Sequence, residues 1–216
     1  MTQRIHQGGQ VLRAGDPLEK AKATMIMVHG RGASADDIIG LADELPIEGF
    51  AFLAPQAAGH TWYPYRFMEP LESNEPYLSS ALDTVGELIK AVEAQGISRE
   101  RIMLLGFSQG ACLSLEYAAR NAGRYGGVVA LSGGLIGPDG TARDYAGSLD
   151  NTPVFLGCSD VDPHIPLQRV KDSAEIMRKL GGNVTGRIYP RMGHTINADE
   201  IEFVRGMMKE VVGSNE

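Results

Sequence analysis

The segment Gly106-Phe107-Ser108-Gln109-Gly110 decides the fold, because it separates an apolar run from a helical pattern. The run Arg101–Leu105 predicts a strand, and the helical pattern begins near Gln109. A sharp strand-to-helix turn needs glycine on both sides of the serine, since a Cβ at either position would clash with neighbouring backbone. Such a turn presents the Ser108 hydroxyl at the carboxyl edge of a sheet, at the positive end of the helix dipole. Ser108 is therefore the predicted nucleophile.

Outside this segment, short apolar runs alternate with longer helical patterns, which indicates βα units and a mostly parallel, doubly wound α/β sheet with helices on both faces. The predicted strands are Thr24–Val28, Phe50–Leu53, Arg101–Gly106, Gly127–Leu131, Pro153–Leu156 and Val184–Tyr189. The segment Arg4–Arg13 is expected to add an antiparallel edge, with Gly8-Gly9 as its turn. Neither repeats nor linkers interrupt the pattern, so one domain is predicted over residues 1–216.

Composition excludes several classes of function. A net charge of −7 without any Lys/Arg-rich run argues against nucleic acid and anionic lipid as partners. No run approaches the roughly 18 apolar residues that cross a bilayer, so stable membrane insertion is not expected. The charged N-terminal region lacks the apolar core of a signal peptide, and Cys112 and Cys158 form no disulfide framework. We expect a cytoplasmic protein, either a monomer or a homodimer.

A serine hydroxyl needs a general base, and the base needs a third group to orient it. After this kind of turn the acid comes next along the chain, followed by the histidine. Asp160 and Asp162 both follow the predicted strand Pro153–Leu156, and His194 follows Val184–Tyr189. These positions share the carboxyl edge of the sheet with Ser108. On this reasoning either aspartate could be the acid, and the other would cap the next helix or bind loop amides.

Among the five histidines, His194 is the predicted base. His6 is close to the N-terminus, and His60 falls in an irregular segment. His29 precedes the nucleophile along the chain, and His164 is too near the acid loop in sequence to form a hydrogen bond easily with the acid.

A glycine-rich loop, His29-Gly30-Arg31-Gly32, directly follows the first predicted strand of the parallel sheet. As serine attacks an ester carbonyl, negative charge develops on the carbonyl oxygen, and fixed backbone N–H groups stabilise it. The backbone N–H groups of Gln109 and Arg31 are the predicted donors. The alternative is a plain glycine turn without a catalytic role.

Residues 59–76, the aromatic segment, show neither helical nor strand periodicity and contain three prolines. An irregular stretch of this length is usually functional or disordered, and its aromatic density argues against disorder. We expect it either to line the acyl pocket or to pack structurally on the core. The candidate pocket residues are Trp62, Tyr63, Tyr65 and Phe67.

These motifs together resemble the phospholipase/carboxylesterase family of α/β-hydrolases, which includes the acyl-protein thioesterases. The resemblance spans nearly the whole chain and rests on His29-Gly30-Arg31-Gly32, Gly106-Phe107-Ser108-Gln109-Gly110, Asp162-Pro163-His164-Ile165-Pro166 and Gly193-His194. Family members place the acid immediately before the proline of an Asp-Pro-x-Val-Pro-like motif, which implies Asp162 rather than Asp160. Ile165 replaces the usual valine there. The resemblance also implies the α/β-hydrolase fold and ester hydrolysis without metal or organic cofactor.

The resulting expectation is a serine carboxylesterase that hydrolyses short- to medium-chain esters through an acyl-enzyme, with a small-molecule ester as its partner. Arg31 stands where eukaryotic thioesterases usually have leucine, which favours a small ester over a palmitoylated protein. Lysophospholipase or acyl-thioesterase activity on the same triad is the alternative. A dienelactone-hydrolase-like enzyme would usually carry cysteine at position 108. An inactive binding protein on this scaffold conflicts with the complete set of Ser108, Asp162 and His194.

Overall fold

Strands and helices alternate along the chain, as predicted. A computed structural model describes residues 3–213, so residues 1–2 and 214–216 of the predicted domain lie outside the described residues. The strands are β1 (Val11–Gly15), β2 (Ala23–Val28), β3 (Phe50–Pro55), β4 (Ile102–Phe107), β5 (Gly127–Leu131), β6 (Pro153–Ser159) and β7 (Asn183–Tyr189). The helices are α1 (Ala35–Ile39), α2 (Tyr77–Glu93), α3 (Gln109–Arg120), α4 (Leu167–Lys179) and α5 (Ala198–Gly213). No helix within the described residues is long and apolar enough to cross a bilayer.

The described part of the chain forms one seven-stranded sheet in the order β1-β3-β2-β4-β5-β6-β7. Strand β1 pairs antiparallel with β3, and every other neighbouring pair is parallel. The mostly parallel, doubly wound sheet is thus confirmed. In such a sheet the carboxyl ends of β2, β4, β6 and β7 open at the same edge, where the candidate site lies.

Helices cover both faces of the sheet, and the alternation of side chains in β2 shows how they are divided. Met25 and Met27 pack in a core with α1 and α5. Ile26 and Val28 point to the opposite face, where α2, α3 and α4 complete a second core. Every residue of β2 is buried, because both of its faces are covered.

The antiparallel edge begins later than expected. Strand β1 starts at Val11 rather than Arg4, and the turn at Gly8 (φ 79°) precedes the strand instead of lying within it. The backbone N–H groups of Ile5 and His6 donate to Ser80 Oγ in α2, at 2.9 and 3.1 Å. A side chain of the helix therefore satisfies the donors that a strand would have paired with the sheet.

Helix α5 begins with a reciprocal cap whose acid is fully buried. Glu200 Oε2 accepts from the Asn197 backbone N–H at 2.9 Å, and Asn197 Oδ1 accepts from the Glu200 N–H at 3.0 Å. Glu200 Oε1 lies against Gly157 of β6 and has no hydrogen-bond partner among the described residues. Burial, the main cause, raises the pKa of Glu200 from 4.5 to about 7.

This raised pKa predicts a specific pH dependence of stability. Between pH 4.5 and about 7 the unfolded chain loses the Glu200 proton before the folded protein does, so stability falls as pH rises through this window. We expect Glu200→Gln, which cannot ionise but retains an acceptor for Asn197, to gain about 3 kcal/mol relative to the parent between pH 4 and pH 8. Thermal unfolding of both proteins at the two pH values measures this gain. An equal difference in Tm at both pH values would contradict the assignment.

Candidate active site

Ser108 occupies the turn between β4 and α3 in a left-handed backbone conformation, with φ 55° and ψ −118°. This conformation is unfavourable for a residue with a side chain and persists only where surrounding packing enforces it. Its backbone N–H donates to the Leu131 carbonyl at 2.9 Å, and its carbonyl accepts the first helical bond from Cys112 at 3.0 Å. The strand-to-helix turn predicted from the sequence is confirmed.

The glycines on either side of the turn are required by backbone packing. A Cβ at Gly106 would lie 2.2 Å from the Gly110 carbonyl carbon. A Cβ at Gly110 would lie 2.0 Å from the Val28 carbonyl oxygen at the end of β2. Backbone on both sides leaves no flexible side chain that could yield, so only glycine fits either position.

Ser108, His194 and Asp162 form a continuous chain of hydrogen bonds at the carboxyl edge of the sheet. His194 Nε2 lies 2.9 Å from Ser108 Oγ, and His194 Nδ1 lies 2.7 Å from Asp162 Oδ2. The aspartate side chain is fully buried, whereas the histidine side chain retains 17% exposure. The structure thus brings together the nucleophile, base and acid that the sequence predicted, at distances suited to proton transfer.

Asp162 is held by more than the histidine. Its Oδ1 accepts from the backbone N–H groups of His164 and Ile165, at 2.8 and 3.0 Å. Burial favours the neutral acid, but the hydrogen bonds from His194 and the two backbone N–H groups outweigh it and lower the pKa of Asp162. This carboxylate is therefore ionised at neutral pH and fixed in orientation.

Asp160, the other candidate acid, does not contact His194. Its Oδ1 accepts from the Arg191 backbone N–H at 2.7 Å, so it binds a loop amide, one of the two roles predicted for the remaining aspartate. Ser159 Oγ accepts from the Gly193 N–H at 3.1 Å. Together these bonds tie the loop after β6 to the loop that carries His194.

The remaining histidines have structural contacts. His29 is buried, and its Nε2 accepts from the Ala57 N–H at 3.1 Å. His6, expected only near the chain terminus, is also buried: Nδ1 accepts from the Ala58 N–H at 3.1 Å, and Nε2 donates to the Trp62 carbonyl at 3.0 Å. Burial lowers the pKa of both imidazoles, which keeps them neutral.

The glycine-rich loop after β2 packs directly on the nucleophile turn. A Cβ at Gly30 would lie 3.4 Å from the Ser108 Cβ. The Gly32 N–H donates to the His60 carbonyl at 2.7 Å, which anchors the loop to the aromatic segment. Gln109 provides the first backbone N–H of α3, and the first N–H groups of a helix have no acceptor within the helix. Arg31 and Gln109 line one cleft together with Ser108.

The aromatic segment divides between cleft and core. Tyr63 and Phe67 line the cleft, as predicted. Trp62 was expected there too, but it is fully buried beneath the cleft, where its indole N–H donates to the His29 carbonyl at 3.0 Å. A large apolar ring with a single donor is best accommodated inside when a carbonyl is available to it. Tyr65 does not line the cleft either, and the residue is 58% exposed to solvent.

Polar contacts add to the core packing of Trp62, Tyr63 and Phe67 in fixing the segment beside Ser108. The side chain of Gln109 accepts from the Trp62 N–H and donates to the Tyr63 carbonyl, both at 2.8 Å. The Arg31 guanidinium donates to the carbonyls of Pro64, at 2.6 Å, and Tyr65. The two residues predicted as oxyanion donors through their backbone thus also position the cleft wall through their side chains.

Several cleft residues were not predicted. The cleft has a volume of about 300 Å³, and its further lining residues include Arg66, Phe107, Cys112, His164 and Ile165. The ring of His164 packs edge-on against His194, with centroids 4.8 Å apart. The position of His164 two residues after Asp162 could have predicted its place in the cleft, because a loop that positions Asp162 also positions its neighbours. Arg66 lies in the aromatic segment, but the aromatic pattern used to predict pocket residues does not include arginine.

The sheet topology and the serine turn define the protein as an α/β-hydrolase. A profile described as Phospholipase/Carboxylesterase matches residues 12–212, and the chain belongs to this family. The chain resembles a crystal structure of a phospholipase/carboxylesterase from Dyadobacter fermentans, with a TM-score of 0.89 and 45% identity over 93% of this chain and 96% of that one.

Acyl-protein thioesterases of fungi are more distant relatives. Acyl-protein thioesterase 1 of Saccharomyces cerevisiae is 27% identical over 230 residues, covering 94% of this chain and 99% of the relative. The protein of the same name from Emericella nidulans is 29% identical over 221 residues, covering 90% and 92%. These matches confirm the family that the sequence motifs indicated, and they support a hydrolase of esters or thioesters.

The two aspartates offer a matched test of the acid. Asp162→Asn should leave the backbone in place but favour the wrong tautomer of His194, lowering kcat by roughly 10³- to 10⁴-fold. Asp160→Asn retains an oxygen that accepts from Arg191 and should cause a far smaller loss. Steady-state kinetics on one ester, with circular dichroism as the control for folding, compares the variants. Equal losses in the two variants would refute the assignment of Asp162.

Proposed function

We propose that the protein is a serine carboxylesterase that hydrolyses short- to medium-chain carboxylic esters through an acyl-enzyme. The observation that carries this proposal is the hydrogen-bonded chain from Ser108 Oγ through His194 to Asp162, open to a cleft of about 300 Å³. Membership of the phospholipase/carboxylesterase family supports it.

In the proposed reaction, His194 Nε2 removes the proton of Ser108 as the serine oxygen attacks the ester carbonyl. The tetrahedral intermediate collapses, the alcohol leaves with the proton from His194, and the acyl group remains on Ser108. Water then attacks this acyl-enzyme, with His194 again taking a proton, and the carboxylic acid is released as the serine is restored. Asp162 holds the imidazole in the tautomer that accepts at Nε2 and stabilises the imidazolium.

The backbone N–H groups of Gln109 and Arg31 are the proposed oxyanion donors. The contact between Gly30 and Ser108 supports this role, because it holds the loop after β2 beside the nucleophile. The position of Gln109 at the start of α3 adds the positive end of a helix dipole. Donors fixed in this way need no reorganisation as negative charge develops.

The size and lining of the cleft support short to medium acyl chains. Its volume is at the small end of the roughly 300–1,000 Å³ typical of ligand sites. Tyr63, Phe67, Cys112 and Ile165 provide an apolar wall. Burial raises the pKa of Cys112 to about 12, so this thiol stays neutral and acts as a small apolar group rather than a second nucleophile.

Acyl-thioester hydrolysis is the second candidate, favoured by the fungal relatives named acyl-protein thioesterases. The same triad and oxyanion donors would serve, since only the leaving group changes from an alcohol to a thiol. The sequence prediction of a cytoplasmic protein, monomeric or homodimeric, is carried forward as part of the proposal.

Hydrolysis of p-nitrophenyl esters from acetate to palmitate, beside matched acyl thioesters, tests the proposal. We expect a maximum at short to medium ester chains and loss of at least about 10³-fold in kcat for Ser108→Ala. Ser114→Ala is the matched control: its hydroxyl is buried in α3, the helix that follows Ser108, without a hydrogen-bond partner among the described residues, so activity should persist. Undiminished hydrolysis by a folded Ser108→Ala variant would overturn the mechanism, and faster hydrolysis of thioesters would establish the second candidate.

A further inference from the structure

The cleft is cationic although the protein is acidic. The chain has a net charge of −7, yet two arginines, Arg31 and Arg66, line the cleft. None of the cleft residues is an aspartate or glutamate. Asp162 and Glu116 lie close to cleft residues. The Asp162 carboxylate is occupied by His194 and two backbone N–H groups, and the Glu116 carboxylate pairs with Arg120 and Arg143. Arg31 already positions the cleft wall, so Arg66 is the cleft cation that hydrolysis of neutral esters leaves without a role.

The charge of Arg31 is fixed in place by its bonds to the carbonyls of Pro64 and Tyr65. Neutral carbonyl acceptors leave the guanidinium charge uncompensated. The face of the Tyr63 ring lies 5.9 Å from the guanidinium carbon, which further restricts its movement. Arg31 therefore contributes a stationary positive potential to the cleft.

Arg66 differs, because its backbone is anchored while its side chain is unpaired. Its carbonyl accepts from the Asn74 side-chain amide at 3.2 Å and from the Glu69 N–H at 3.1 Å. On either side, the Tyr65 N–H donates to Asn74 Oδ1 at 2.8 Å, and the Phe67 carbonyl accepts a bond at 2.7 Å. Arg66 lines the cleft, and no acceptor among the described residues pairs with its guanidinium, so its fork of donors is available to a ligand.

We propose that the preferred substrate of this cleft is a small ester that also carries a carboxylate, bound by the Arg66 guanidinium. This proposal rests on the proposed esterase function and names its substrate class. A guanidinium matches the planar geometry of a carboxylate and binds it through two parallel N–H bonds. The fixed charge of Arg31 adds attraction at short range, where it offsets the repulsion of an anion by the acidic protein.

Two matched pairs of esters test the proposal by placing the carboxylate on either side of the scissile bond. One pair is 4-acetoxybenzoate and its methyl ester, with the charge on the leaving alcohol. The other is p-nitrophenyl hemiglutarate and p-nitrophenyl pentanoate, with the charge on the acyl group; spontaneous hydrolysis is subtracted for each. We expect the parent protein to show higher kcat/KM for the charged member of at least one pair.

Three arginine variants separate a specific contact from a general effect of charge. Arg66→Gln should lower kcat/KM for that charged ester by about 10- to 100-fold more than it lowers kcat/KM for the neutral partner. Arg66→Lys retains the charge but not the fork of donors. Its kcat/KM for the charged ester should lie between those of the parent protein and Arg66→Gln. Arg13→Gln removes the same charge from the distant edge strand β1 and should have no selective effect. Equal effects of Arg66→Gln on charged and neutral esters would overturn the proposal.

A binding measurement distinguishes failure of this proposal from failure of the esterase function. Calorimetric titration of monomethyl glutarate into Ser108→Ala, and into the same variant with Arg66→Gln, requires no turnover. Tighter binding to Ser108→Ala than to the same variant with Arg66→Gln would uphold the carboxylate site, even if the parent protein hydrolysed none of the esters. Binding of equal strength in the two variants, or none, would overturn it even if neutral esters were good substrates.

Discussion

Close backbone packing around Ser108 is the constraint on which the site depends. Gly110 at the start of α3 lies against the Val28 carbonyl, and Gly106 lies against Gly110. This contact forces the serine into its left-handed conformation and brings the loop beginning at Gly30 beside it. Ser108 and the proposed oxyanion donors are therefore positioned by the same contact, the packing of α3 on the end of β2. A side chain at either glycine would separate them.

A second layer of polar contacts fixes the position of the cleft wall relative to Ser108. Gln109 and Arg31 bind backbone groups of the aromatic segment, and Asn74 binds the segment further along. Hydrogen bonds to backbone specify position more strictly than contacts between rings, because they depend on direction as well as distance. An irregular segment can thus form a defined wall over the nucleophile. Trp62 supports that wall from below rather than contacting the cleft.

Much of the fold and the core of the site could be predicted because their signals are local. Runs such as Thr24–Val28 and Gly127–Leu131 are mostly apolar and are each followed by a polar residue, and both coincide with observed strands to within one residue. Ser108, Asp162 and His194 follow separate strands, and parallel topology then brings strand ends to one edge.

The features that could not be predicted from the sequence depend on contacts between distant parts of the chain. Nothing near His6 in sequence shows that it binds the backbone of Ala58 and Trp62, or that Ser80 would replace a strand partner. Likewise, aromatic character did not show that Tyr63 lines the cleft whereas Trp62, which is equally buried, does not. The position of Trp62 depends on the distant His29 carbonyl, which accepts from its indole N–H.

Covalent labelling with a fluorophosphonate, followed by intact-mass measurement and peptide mapping, tests the central claim most directly. The reagent reacts with serines that a general base activates, so it probes Ser108 without requiring the substrate to be known. A single adduct on Ser108, formed much more slowly in a folded His194→Ala variant, is the predicted result. Labelling of a different residue, or a rate on Ser108 that does not depend on His194, would contradict the account.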